Sequence, residues 1–178
     1  MVKQKTILIG LFGGSFDPPH IGHLKISLAG IKKIKLDQLY WIVTNQNPFK
    51  KKTFYSINER LKKCKDLTKK NNKIKVKFLD KVVKSVRTID VLKYLIKKNK
   101  NSKFFLFIGS DNLINLHKWK NSNQILKLSK LVVFSRKGFD RKAKTSQIVK
   151  KTGRKEIIYI KNSRIDISSS QLRKFYLK

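Results

Sequence analysis

Along this chain, short apolar runs alternate with longer amphipathic stretches from one end to the other. Runs of strand length cover Lys5–Phe12, Gln38–Thr44, Lys73–Phe78, Lys103–Ile108, Lys130–Ser135 and Glu156–Ile160, and helices are predicted between them. Such alternation is what a parallel sheet with crossover helices requires, so the expected class is α/β. Two helix starts can be read directly. Ser56 with Glu59 three residues on has the form of a capping box, and Thr88 precedes the periodic run IDVLKYLI. No internal repeat, long linker or Pro/Ser-rich segment divides the chain. With 178 residues and 40% hydrophobic content, residues 1–178 are expected to form a single domain around one core.

Composition changes this picture little. The formal net charge is +34, which by itself points to a polyanion partner such as RNA, DNA or an anionic membrane. Only seven of the 44 basic residues are arginine, however, and the lysines are spread through every region. Specific phosphate and base recognition leans on arginine forks, so a solvated surface that steers phosphorylated substrates is the expectation, with no specific nucleic acid. Cys64 is the only cysteine and lies at helical spacing from Leu61, which suits a buried structural thiol and excludes a cysteine metal cluster. The first residues lack the length and cleavage site of a signal peptide, and no apolar run approaches the ~18 residues of a membrane span. A soluble, cytoplasmic protein is expected.

The densest chemistry follows the first strand, in ILIGLFGGSFDPPHIGHLKISLAG. Glycines at a strand end let backbone N–H groups approach a phosphate, and a helix starting near His23 aims its positive end at the same crevice. His20 and His23, separated by two residues of which one is Gly22, can donate hydrogen bonds to a transferring phosphate. Near the other end, RIDISSSQLRKFYLK places three serines before an amphipathic turn with Arg173. That arrangement serves as a helix cap or as an anion site.

The first segment resembles the His-x-Gly-His motif of the nucleotidyltransferase superfamily, which also includes class I aminoacyl-tRNA synthetases. A chain this short cannot hold a synthetase, and no KMSKS-like loop is found. ISSSQLR is similar to the ISSTxxR motif of the adenylyltransferase branch. The resemblance implies a Rossmann-like, doubly wound parallel sheet of about five or six strands with helices on both faces. It also implies ATP as substrate, bound at the switch point of the strand order by Gly13, Gly14, Ser15, Phe16, His20, His23, Gly109, Asp111, Ser168, Ser170 and Arg173. Ser168, Ser170 and Arg173 match the positions for the β- and γ-phosphates.

Three internal segments are similar to bacterial nicotinate-nucleotide adenylyltransferases. WIVTNQNPFKKK resembles WIPTxxPPHK, with Trp41, Thr44, Pro48 and Lys50 matching; Phe49 stands where the family has histidine and Asn47 where it has its first proline, leaving the charge to Lys50 and Lys51. SVRTIDVLKYL resembles SYTxxTL, with Thr88 matching and Arg87 replacing tyrosine; as a plain helix cap Thr88 needs no further role. FLFIGSDNLINLHKW resembles FIxGxDxLxxLxxW, delivering Gly109, Asp111 and Trp119 in register. An indole at that spacing serves either core packing or stacking on a pyridine ring, with nearby backbone N–H groups taking the ring carboxylate.

The expected reaction is transfer of AMP from ATP to nicotinate mononucleotide, giving deamido-NAD and pyrophosphate. His20, His23, Lys50 and Arg173 are the expected catalytic residues, and Thr44, Lys50, Thr88 and Trp119 the expected acceptor contacts. Asp111 is expected at the ATP ribose. No dedicated metal cage is visible, so Mg²⁺ is expected to be held mainly by ATP phosphates. Pantetheine phosphate or nicotinamide mononucleotide as acceptor, and a basic RNA-binding module, are the competing readings. Oligomeric state is not readable from the sequence.

Overall fold

The computed structural model describes residues 5–45, 53–153 and 157–161 together with Ser169. Six parallel strands form one sheet: β1 (Ile7–Gly14), β2 (Gln38–Val43), β3 (Ile74–Lys77), β4 (Ser102–Gly109), β5 (Lys130–Phe134) and β6 (Ile157–Ile160), in the order β3-β2-β1-β4-β5-β6. All six expected strands are present. The chain winds outward from β1 in one direction and, after a long crossover, outward from β4 in the other. The switch point therefore lies between β1 and β4, where an open sheet of this kind leaves a crevice at its carboxyl edge.

Alternate strand residues feed two cores. Phe12, Leu39, Trp41, Val43, Phe107, Val132 and Phe134 pack on one face with Ile31 of α1 (Ile21–Ile34) and Cys64 of α2 (Ile57–Thr68). Ile9, Leu11, Ile42, Leu106, Ile108, Leu131 and Val133 pack on the other. They meet Leu92 of α4 (Thr88–Lys98), Leu113 of α5 (Ser110–Asn115), Ile125 of α6 (Ser122–Leu128) and Ile148 of α8 (Gln147–Thr152). Two further short helices, α3 (Asp80–Val83) and α7 (Asp140–Lys144), sit near the carboxyl edge. Helices on both faces were the expectation. Among the described residues no helix is long and apolar enough to cross a membrane.

Some boundaries differ from the sequence expectation, each for a physical reason. Gly13 and Gly14 do not follow β1 but are its last two residues, because β2 extends far enough to pair with them at Ile42 and Val43. Thr88 is the first residue of α4 rather than its cap. Arg87 holds the N-cap position with extended backbone and no side-chain bond. Ser56 does cap α2: its hydroxyl accepts from the Glu59 N–H, and the Glu59 carboxylate accepts from the Ser56 N–H at 2.8 Å.

Candidate active site

At the carboxyl end of β1 the backbone is bare. A Cβ added at Gly13 would meet nothing within 4 Å, so internal packing does not demand glycine there; the strand end borders open space. The chain then turns through Phe16, which has a positive φ of 47°, uncommon for an aromatic residue. Its ring is buried and stacked on Trp41 at 4.8 Å between centroids, and that stacking holds the turn.

The same tryptophan fixes the first turn of α1. Trp41 Nε1 donates to Ser27 Oγ at 2.8 Å, and Ser27 Oγ donates to the His23 carbonyl at 2.8 Å. His20 is the N-cap of α1 and His23 its third residue, and their ring centroids lie 3.9 Å apart. The His20 backbone N–H donates to His23 Nδ1 at 3.2 Å. An imidazole accepting at Nδ1 carries its neutral-form proton on Nε2, which makes that N–H the donor of the ring. His20 Nδ1 is buried with no hydrogen-bond partner among the described residues. Burial, and secondarily the positive charge of Arg136, lower the His20 pKa to about 4, so this ring is neutral at pH 7.

Across the switch point, β4 ends at Gly109. A Cβ there would meet the Asp111 carboxylate in its present position, so glycine leaves room for that side chain to fold back over the strand end. Asp111 Oδ2 accepts from Arg136 Nη1 at 2.6 Å, while Oδ1 is buried without a partner among the described residues. Arg136 follows β5, and its backbone N–H donates to Ser110 Oγ at 3.0 Å.

Of the residues expected to meet the acceptor, Thr44 directly follows β2 and donates its N–H to the Gly14 carbonyl at 3.1 Å. A groove is lined by Asp80, Lys84, Ser85, Val86 and Arg87, the last of which immediately precedes Thr88 at the start of α4. Trp119 is half-buried and packs against the core that contains Leu113 and Leu116. The Trp119 backbone N–H donates to the Leu116 carbonyl at 3.0 Å, so this one backbone donor is already engaged within the chain.

The tail motif meets the first loop at one described point. Ser169 Oγ donates to the Pro18 carbonyl at 3.0 Å, across 151 residues of sequence and two residues before His20. Lys50, Ser168, Ser170 and Arg173 lie outside the described residues. Among the described residues no group of three or more His, Cys, Asp or Glu side chains comes together to hold a metal.

Four charged residues without a sequence-assigned role organise this edge: Asp17, Arg60, Asp80 and Arg136. Asp17 is buried and accepts the N–H groups of Phe54 and Tyr55 at 2.8 and 2.9 Å. Arg60 is wholly buried and donates to four backbone carbonyls. Asp80 accepts from the Asn45 N–H at 2.7 Å. Burial raises the Asp80 pKa, against the opposing effects of that bond and of Arg60. One signal was available: in a chain whose basic residues are overwhelmingly lysine, an arginine inside ERLKKCK marks a place where fork geometry is needed.

Comparison with known proteins bears on the family and the fold. The cytidylyltransferase-like family model matches residues 11–175. A relative from Pelagibacter ubique (strain HTCC1062), named "Probable nicotinate-nucleotide adenylyltransferase", is 41% identical over 97% of this chain and 96% of its own. One of the same name from Aquifex aeolicus (strain VF5) is 32% identical over 90% of this chain and 98% of its own. Among solved structures, Plasmodium falciparum nicotinic acid mononucleotide adenylyltransferase complexed with NaAD superposes with a TM-score of 0.75 at 20% identity, covering 95% of this chain and 83% of that one. At that identity the match speaks for the fold, while the full-length relatives above 30% speak for descent. The chain belongs to the nicotinate-nucleotide adenylyltransferase family, within the cytidylyltransferase-like nucleotidyltransferases.

Proposed function

We propose that this enzyme transfers AMP from ATP to nicotinate mononucleotide, forming deamido-NAD and releasing pyrophosphate. The acceptor's phosphate oxygen attacks the α-phosphorus in line, one P–O bond forms as the bond to the β-phosphate oxygen breaks, and pyrophosphate leaves with the electron pair. A phosphate nucleophile is already ionised at neutral pH, so the protein's task is positioning and charge stabilisation.

The observation that carries this reading is the bond from Ser169 to the Pro18 carbonyl, which supports a common site for the tail serines and the histidine loop. In that site His20 and His23 donate to oxygens around the reacting phosphorus, Ser168, Ser170 and Arg173 take the departing pyrophosphate, and Lys50 balances charge between acceptor and ATP. Gly13, Gly14, Ser15 and Phe16 form the floor under the triphosphate. Gly109 lets Asp111 reach the ATP ribose, with Arg136 holding its carboxylate. Thr44, Thr88 and the Trp119 ring receive the acceptor.

Magnesium suits this donor set. Mg²⁺ binds through one or two carboxylates plus substrate phosphates, and Asp111, at the end of β4, offers a carboxylate oxygen, Oδ1, that is without a hydrogen-bond partner among the described residues. When bound with ATP, the ion neutralises charge on the phosphate oxygens. The compartment proposed for the enzyme is the cytoplasm.

The test is pyrophosphate release with ATP and each of three acceptors: nicotinate mononucleotide, nicotinamide mononucleotide and phosphopantetheine. Turnover with the first at least tenfold above the other two is expected. A preference for either of the others overturns the acceptor assignment, and no release with any overturns the reaction.

A further inference from the structure

Arg60 projects from the first turn of α2 back over its N-terminus, and its guanidinium ends among carbonyls from three places in the chain. Nε donates to Tyr55 O at 3.1 Å, Nη2 to Asn45 O at 2.9 Å, and Nη1 to both Ser15 O and Thr44 O at 2.7 Å each. Ser15 follows the glycine pair on the nucleotide side of the crevice, and Thr44 begins the acceptor side. The surrounding charges reinforce the arrangement. Asp17, from the first of these loops, holds the N–H groups of Phe54 and Tyr55, and Asp80, beyond β3, holds the N–H of Asn45. Successive loops at the carboxyl ends of β1, β2 and β3 are thereby joined around one buried cation.

We propose that Arg60 is a positioning residue for adenylyl transfer: by bonding the Ser15 and Thr44 carbonyls with one nitrogen, it sets the separation between the loop that carries ATP and the loop that carries the acceptor. The proposal rests on the assignment of those two loops given above. In-line displacement tolerates little error in the distance between nucleophile and phosphorus, and a misplacement of about 1 Å costs on the order of 10²-fold in rate. Lysine cannot substitute, because a single ammonium on a flexible stem cannot reach four carbonyls held in a planar fork.

A role confined to stability gives a different result from a role in spacing. The variant Arg60→Lys keeps the positive charge between Asp17 and Asp80 but loses the fork. Its melting temperature, its dissociation constants for ATP alone and for nicotinate mononucleotide alone, and its kcat well below the melting temperature are measured. Each substrate is expected to bind within about threefold of wild type while kcat falls by roughly 10- to 100-fold. A folded variant with kcat within twofold of wild type overturns the proposal, and so does a loss of affinity for one substrate that accounts for the whole rate loss. Should Arg60→Lys fail to fold, Asp80→Ala removes the acceptor for the Asn45 N–H and loosens the Thr44–Asn45 segment without touching the guanidinium. There too an unchanged kcat overturns the proposal. If wild-type enzyme prefers a different acceptor, the acceptor assignment falls and the Arg60 measurements are made with that acceptor instead.

Discussion

His23 has a structural role and, in the function proposed above, a chemical one, and the two can be separated by the choice of substitute. Its Nδ1 accepts the His20 N–H, its ring packs against Phe16 at 5.0 Å, and its other nitrogen carries the donor proton. His23→Ala is expected to lower kcat by roughly 10²-fold, the scale for losing one preorganised donor at a developing charge. It also leaves the N-cap N–H without an acceptor. Glutamine at this third helical position can still accept from the N-cap N–H, as in a capping box. His23→Gln is therefore expected to melt above His23→Ala while remaining equally impaired in turnover; near-normal kcat in either variant removes His23 from the chemistry. His20 makes a separate prediction. Burial and Arg136 hold its pKa near 4, against about 6.5 in the unfolded chain. Between those values the unfolded chain binds more protons, so stability contributed by neutral His20 is full above pH 6.5 and declines as pH falls towards 4. Imidazole NMR of the ligand-free enzyme should place the His20 midpoint well below 6.5. Arg136→Ala should raise it only part of the way, because burial is the larger cause. A midpoint at or above 6.5 in the wild type contradicts the placement of this ring.

At the scale of elements, the Ser56–Glu59 pair gives a quantity that sequence and structure predict alike. Ser56→Ala removes the acceptor for the Glu59 N–H and is expected to cost about 1 kcal/mol, which for a domain of this size is a fall of about 2–4 °C in melting temperature. Thermal unfolding checks it, and an unchanged midpoint means the cap adds nothing to α2. The capping box was visible in the sequence because its partners are three residues apart. The strands were visible because a parallel sheet covered on both faces needs continuous apolar runs. KFFLFI shows this directly: Phe104, Leu106 and Ile108 feed one core, and Phe107 the other. The histidine pair was visible because its residues are local and chemically rare. What stayed hidden was made of backbone partners. Arg60 bonds carbonyls 5 to 45 positions away, and a carbonyl leaves no mark on the sequence because every residue has one. Arg136 was missed for a related reason: its carboxylate partner Asp111 lies 25 residues back, on the far side of a crossover. The N-cap of α4 was misplaced by one residue because Thr88 is the stronger capping type, yet the backbone bends out of the helix at Arg87.

Over the whole molecule, 44 basic residues against 10 acidic ones create a field that acts on substrate and protein in opposite ways. Few carboxylates are available to pair with, so most of the lysine charge is balanced only by solvent and counterions. For an anionic substrate that field raises the encounter rate, by 10- to 10³-fold in strongly focused cases, and it is screened once the Debye length shrinks to about 10 Å at 0.1 M salt. For the folded chain it is self-repulsion, which the same salt relieves. Raising ionic strength from about 0.02 to 0.5 M with a non-chelating salt should therefore lower kcat/KM for ATP several-fold, leave kcat nearly constant, and raise the melting temperature. Bound phosphates compete with salt for the site, but chemistry within the closed ternary complex does not, which is why the two kinetic constants separate. A nucleic-acid-binding role for the charge makes a different demand. RNA affinity would have to persist at physiological salt, where purely electrostatic attachment has already weakened steeply. Steady-state kinetics and melting curves across one salt series decide the matter: kcat/KM independent of salt, alongside tight RNA binding at 0.15 M, would show that the charge is directed at a polymer and not at the triphosphate.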